Sequence, residues 1–181
     1  MITFFLFMLG SCSLVAYLSS TAGADDQKIG QKAPYFKIAS GSGQLLTLDE
    51  VKGKVVVIFY ETKNVSRKNA AIKDRFNELY DSQPAPIRES IVRLPVFDCS
   101  SVVWPVTYLW KDGLVKNSAR VGITIYGDWD GKMLHDYGMK DNESNVLMLD
   151  KTGVIRYFFA GKIDEERFLE IKNLLAELVS K

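Results

Sequence analysis

Two cysteines and one histidine occur in the 181 residues: Cys12, Cys99 and His135. They bound the side-chain chemistry the chain can offer. No two cysteines lie one helical turn apart, so the dithiol arrangement, in which one thiolate is resolved by a second thiol close by, is absent. Cys99 follows Val96-Phe97-Asp98 at the end of an apolar run, and two readings of it stand. One is a reactive single thiol whose thiolate Arg67 or Lys68 would stabilise. The other is a small, inert, partly buried thiol, which Asp98 favours because an adjacent carboxylate raises a thiol pKa. A His-based triad would have to use His135, yet no Gly-x-Ser-x-Gly lies near it, and a solvent-facing helix position fits it better. Asp128-Trp129-Asp130-Gly131 has the opening of an EF-hand loop, but Met139 stands where the loop requires Glu. It reads as a turn. A zinc site would need several carboxylates beside so few soft ligands, and no glycine-rich phosphate loop is present, so no metal or cofactor is expected.

Lys63, Arg67 and Lys68 cluster where an apolar run gives way to helical spacing. If a helix begins near Asn64, its free N–H groups and these cations form an anion-binding terminus. Each such dipole contact is worth only about 0.3–1 kcal/mol when exposed. The plainer reading is a solvated basic first turn capped by Asn64.

The formal charge is +1 with no long single-sign run, so neither nucleic acid nor an anionic membrane surface is favoured as partner. The length suits one ordinary domain. Residues 1–24 carry no charge, are apolar from Ile2 to Leu18, and end in Ala22-Gly23-Ala24 ahead of Asp25-Asp26, which is the pattern of a cleaved export signal. Residues 25–181 are then the domain, with no stable membrane insertion after cleavage. Leu9-Gly10-Ser11-Cys12 leaves open a lipoprotein anchored at Cys12, and the apolar run is just long enough to leave open an uncleaved anchor. Cleavage after Ala24 leaves Cys99 alone, without an internal disulfide partner.

The elements that would position these groups follow from periodicity. Apolar residues around Pro34 and at Leu45-Leu46-Thr47-Leu48 flank Gly41-Ser42-Gly43 as a hairpin. Val55 to Phe59 is an unbroken β-branched and aromatic run, as in a strand buried on both faces. From Asn64 onward, Val65, Ile72, Phe76, Leu79 and Tyr80 fall on one helical face. Residues 91–97 form a strand in which Pro95 demands an edge, a bulge or a strand end. Residues 102–119 have helical spacing, 121–126 alternate as a strand, and 133–137 suit a short helix. Residues 145–149 and 154–159 pair across Asp150-Lys151-Thr152-Gly153. A last helix starts at Asp164 as N-cap and buries Phe168, Ile171, Leu174, Leu175 and Leu178.

The strand, turn and helix of residues 53–69 resemble the core of a thioredoxin-like domain, whose turn carries Cys-x-x-Cys. Here Asn64 and Arg67 take the two cysteine positions. The N-terminal hairpin resembles the lead-in of peroxiredoxin-like and thiol-reductase relatives. Tyr137-Gly138-Met139, the run from Ser144 to Gly153 and Ala160-Gly161 are similar to the YtfJ family of uncharacterised periplasmic proteins, which also lack Cys-x-x-Cys. The resemblance implies an α/β fold, a thioredoxin-like three-layer α/β/α arrangement with a mixed central sheet and an N-terminal β-hairpin extension. It places the family's cis-proline at or next to Ser144, yet no proline follows Pro105. Loss of both features argues against disulfide exchange. The implied binding face comprises Asn64, Arg67, Lys68, Cys99, Ser144 and Asn145, with the backbone of Ser144-Asn145 offered to an extended peptide. The expectation is a periplasmic, redox-inactive protein- or peptide-binding module, and the alternative is a single-cysteine thiol enzyme using Cys99.

Overall fold

A computed structural model describes residues 28–181; the signal segment expected at 1–24 and Cys12 lie outside the described residues. Seven strands, β1 (Lys37–Ser40), β2 (Leu45–Thr47), β3 (Val55–Glu61), β4 (Ile91–Asp98), β5 (Tyr126–Asp128), β6 (Asn145–Leu149) and β7 (Ile155–Ala160), form one mixed sheet in the order β2-β1-β5-β4-β3-β6-β7. β3, β4 and β5 run parallel, and the remaining neighbours pair antiparallel. The helices are α1 (Ala70–Asp81), α2 (Ala85–Glu89), α3 (Val106–Val121), α4 (Lys132–Asp136) and α5 (Glu165–Ser180). Together they make the thioredoxin-like fold. No helix among the described residues is long and apolar enough to cross a membrane.

Every residue of β3 is buried, because the strand lies between β4 and β6 and both its faces are covered. Its period of two divides the core. Val56, Ile58 and Tyr60 pack with Leu94, Val96, Met133 and Tyr137 on one face. Val55, Val57 and Phe59 pack with Phe76, Phe168 and Ile171 on the other. The C-terminal helix forms as its sequence indicates: Asp164 Oδ1 accepts the Arg167 N–H at 2.9 Å, a cap worth about 1 kcal/mol, and Phe168, Ile171 and Leu178 are buried.

Several boundaries differ from expectation. The segment after β3 is a run of turns through residues 63–69, and α1 starts only at Ala70. The expected strand at 121–126 is instead the end of α3, closed by Gly122 at φ +70, followed by a shorter β5. Gly122 takes a left-handed conformation that glycine adopts without penalty. Pro95 sits inside β4, and β5 pairs with that strand only from Val96 onward. The edge at Pro95 is free, which resolves its missing donor. A short helix, α2, also follows Pro84.

The β6–β7 hairpin turns on Asp150. Its Oδ1 accepts from Thr152 N (2.8 Å), Thr152 Oγ1 (2.7 Å) and Val154 N (3.0 Å), and its Oδ2 from Arg156 Nε (2.7 Å). Burial acts to raise the carboxyl's pKa, but the hydrogen bonds from Val154, Thr152 and Arg156 prevail and hold it at about 2. A depressed folded pKa gives stability that is fully present above the unfolded value near 4 and is lost as pH falls toward 2. Asp150→Asn is therefore expected to cost about 1–2 kcal/mol at neutral pH, allowing for solvent screening of the loop. The deficit should shrink as pH drops, as urea unfolding at neutral and acid pH will measure.

Candidate functional site

The carboxyl end of β3 is where strand, turn and helix meet, and its centre is a carboxylate. Glu61 is 2% exposed. Its Oε2 accepts from Lys73 Nζ at 2.6 Å, and its Oε1 from the Ser144 hydroxyl at 2.7 Å. Lys73 also donates to the Ser66 carbonyl at 2.7 Å, so one ammonium ties α1 to both the strand and the turn. Asn69 links the remaining pieces: Nδ2 donates to Ser144 Oγ (3.0 Å) and Gly161 O (2.9 Å), and Oδ1 accepts from Ile163 N (2.9 Å). Lys68 donates to Glu143 across the same junction.

This network corrects three expectations. Asn64 does not cap a helix, and the anion-binding terminus expected at Asn64–Lys68 does not exist, because those residues form turns. Asn69 occupies the cap position without a side-chain cap bond, since both of its polar atoms are engaged by the 144 and 161–163 segments. Ser144 and Asn145 do belong to this junction, but both are 0% exposed. The Ser144 carbonyl accepts from Gly161 N at 2.9 Å, and Asn145 lies in register between Tyr60 and Ala160. No backbone edge is left there for an added peptide strand. The Asn145 side chain serves the 140–145 loop, accepting from Lys140 N at 2.8 Å and donating to Lys140 O at 2.9 Å.

Asn64, Arg67 and Lys68 are exposed. Arg67 and Asn64 line an open groove together with Phe97, Lys63 and Trp110. Cys99 is not part of that groove. It is 0% exposed, packed with Leu114 and Ile125 beneath Trp110 and Trp129. Burial, and then the charges of Asp98 and Asp128, push its thiol up to about 12. Asp128, expected to open a turn, ends β5 at 1% exposure and accepts from the Tyr60 hydroxyl and Leu134 N, each at 3.0 Å. Burial raises its carboxyl pKa. His135 faces solvent from α4, as its sequence position suggested.

Sequence reasoning missed Glu61 and Asp128. Each follows or ends a strand as an exposed turn residue would, and their partners Ser144 and Tyr60 lie 83 and 68 residues away. Among the described residues, no group of three or more His, Cys, Asp or Glu is placed to hold a metal. What converges at the β3 terminus is a satisfied charge pair with hydroxyl and amide support. It can hold the turn in place, and it contains no thiol.

No family model matches the sequence. Over 143 residues the chain is 30% identical to a Coxiella burnetii protein provisionally named the peroxiredoxin bcp, covering 71% of this chain and 85% of that protein. The chain belongs to the peroxiredoxin family. It is also 23% identical over 164 residues to the mitochondrial thioredoxin-dependent peroxide reductase of Mus musculus, covering 84% of this chain. It spans only 61% of that reductase's length. A solution structure from Bacteroides thetaiotaomicron, provisionally named a protein disulfide isomerase, superposes with a TM-score of 0.63 at 20% identity, covering 84% of this chain and 91% of the other. That likeness speaks to the fold. Residues 62–69, between β3 and α1, contain no cysteine. The one described cysteine is enclosed.

Proposed function

We propose that this peroxiredoxin-family chain is redox-silent and works as an exported protein- or peptide-binding module, close in type to the YtfJ family, which lacks Cys-x-x-Cys. The observation that carries this reading is the state of Cys99. Thiol peroxide chemistry requires a thiolate that peroxide can reach, whereas this thiol has no exposed surface and is pushed up to about 12. Export is supported by the uncharged, apolar residues 1–24 ahead of Asp25-Asp26. The binding role is supported by the exposed Asn64, Arg67 and Lys68, held on a junction tied together by Glu61, Lys73, Asn69 and Ser144.

The relatives favour a second reading, in which Cys99 is oxidised by peroxide to a sulfenic acid and reduced again by an external thiol. Hydrogen peroxide consumption in the presence of dithiothreitol or thioredoxin with its reductase separates the two. The expected rate equals that of the reductant alone. Turnover above that background, lost in Cys99→Ser, would establish the peroxidase and end the binding-module reading.

A further inference from the structure

Helices α1 and α3 flank an open groove of about 1370 Å³ floored by β3 and β4. Helices on adjacent parallel strands ordinarily pack at 8–10 Å and close such a gap. Here each of the two buries a single side chain, Phe76 on α1 and Leu114 on α3. α3 turns Val106, Leu109, Trp110, Leu114 and Val121 toward the groove, a stripe at helical spacing that belongs to a packed helix. Much of it is bare, with Leu109 65% exposed, and Trp104 just before the helix is 86% exposed. The groove carries five cationic side chains, Lys63, Arg67, Lys73, Arg93 and Arg120, against the carboxylates Glu61 and Asp74. Lys73 is spent on Glu61. Arg93 leans on Asn77 and the Tyr80 ring. Lys63, Arg67 and Arg120 form no ion pair among the described residues.

We infer that this groove receives an amphipathic helix from a partner protein, apolar on its buried face and acidic along its flanks. The inference rests on the binding-module reading and names its ligand. Three features select that occupant. The volume exceeds the roughly 300–1000 Å³ of a small-molecule site. The free edge of β4 beside it contains Pro95, which has no N–H to give, so strand addition is disfavoured. Both walls present helical ridges, the geometry of helix-in-groove recognition, and α3 runs about 24 Å, which suits a partner helix of about four turns. The surplus of cations selects acidic flanks.

The test uses the full chain and a fluorescein-labelled synthetic helix of about four turns, with leucines on one face and glutamates beside them. A twin with lysine for every glutamate and a proline-interrupted version serve as controls, and fluorescence anisotropy is the readout. The glutamate helix is expected to bind in the micromolar range, at least about tenfold better than either control, and to weaken with salt. Leu109→Glu should weaken it about tenfold or more with Tm nearly unchanged, since the residue is exposed. Equal binding of glutamate and lysine helices, or no effect of Leu109→Glu, overturns the inference. If Arg67→Glu abolishes binding and Leu109→Glu does not, the ligand sits on the turn. The groove proposal then falls, and the binding-module reading stands. A concentration-dependent dimer lost in Leu109→Glu would make a second copy the occupant. Binding seen only after removal of residues 1–24 would give that role to the chain's own leader. Either outcome overturns the partner helix.

Discussion

Native Cys12→Ser protein, in which Cys99 is the one remaining thiol, is expected at about pH 8 to react with dithionitrobenzoate at least about a thousandfold more slowly than the same chain in guanidinium chloride. The reagent attacks through the thiolate. Raising the thiol from 9.0 to about 12 thins that form by about three orders of magnitude, and enclosure by Leu114, Ile125, Trp110 and Trp129 slows the reaction further. The same displacement has a thermodynamic side. A folded pKa above the unfolded one gives stability that is intact below pH 9 and is lost as pH rises toward 12, because the unfolded chain ionises first. Cys99→Ala should flatten that alkaline decline. Stoichiometric labelling of the folded protein within seconds at neutral pH would sink this account, and with it the argument against a peroxidase.

Glu61→Ala should cost about 3 kcal/mol. The carboxylate side chain is 3% exposed and Lys73 25%, so the change strands an ammonium in a half-buried position and removes the acceptor for the Ser144 hydroxyl. The loss arises mainly from what is left unpaired, so removing both ends should cost less than the two single changes summed. Glu61→Ala with Lys73→Met is expected to recover about 1–2 kcal/mol of that sum. Urea unfolding of the four proteins in this cycle decides it, and strict additivity would show that the pair is not coupled.

What the sequence disclosed and what it withheld divide along the range of the interactions. Val55 to Phe59, the 145–149 strand and the helix after Asp164 were legible because burial imposes a local period, and because a cap residue acts within three positions of itself. Pro95 was legible as a demand for a free edge, though not which edge. The helix start at Asn64 was misplaced because nothing local reveals that Asn69 is engaged by Gly161 and Ile163, which leaves the preceding residues as turns. The alternation at 121–126 imitated a strand while α3 was still running to Val121. Cys99 and Asp98 were read correctly as neighbours. The burial that decides the thiol's character comes from α3 and Ile125, and no spacing rule connects them.

The central place of β3 bears on how the chain must assemble. One side of β3 pairs with β4, about 36 residues later, while the other waits for β6, about 90 residues later, and the Asn69 clasp waits for Ile163. Early local pairing can form the β3-α1-β4 unit, but its most apolar strand keeps one edge open until nearly the whole chain is present. A chain stopped short of Asn145 would present that edge bare, a template for pairing with other chains. A chaperone that holds the growing chain unfolded until the last helix has been made would remove that hazard.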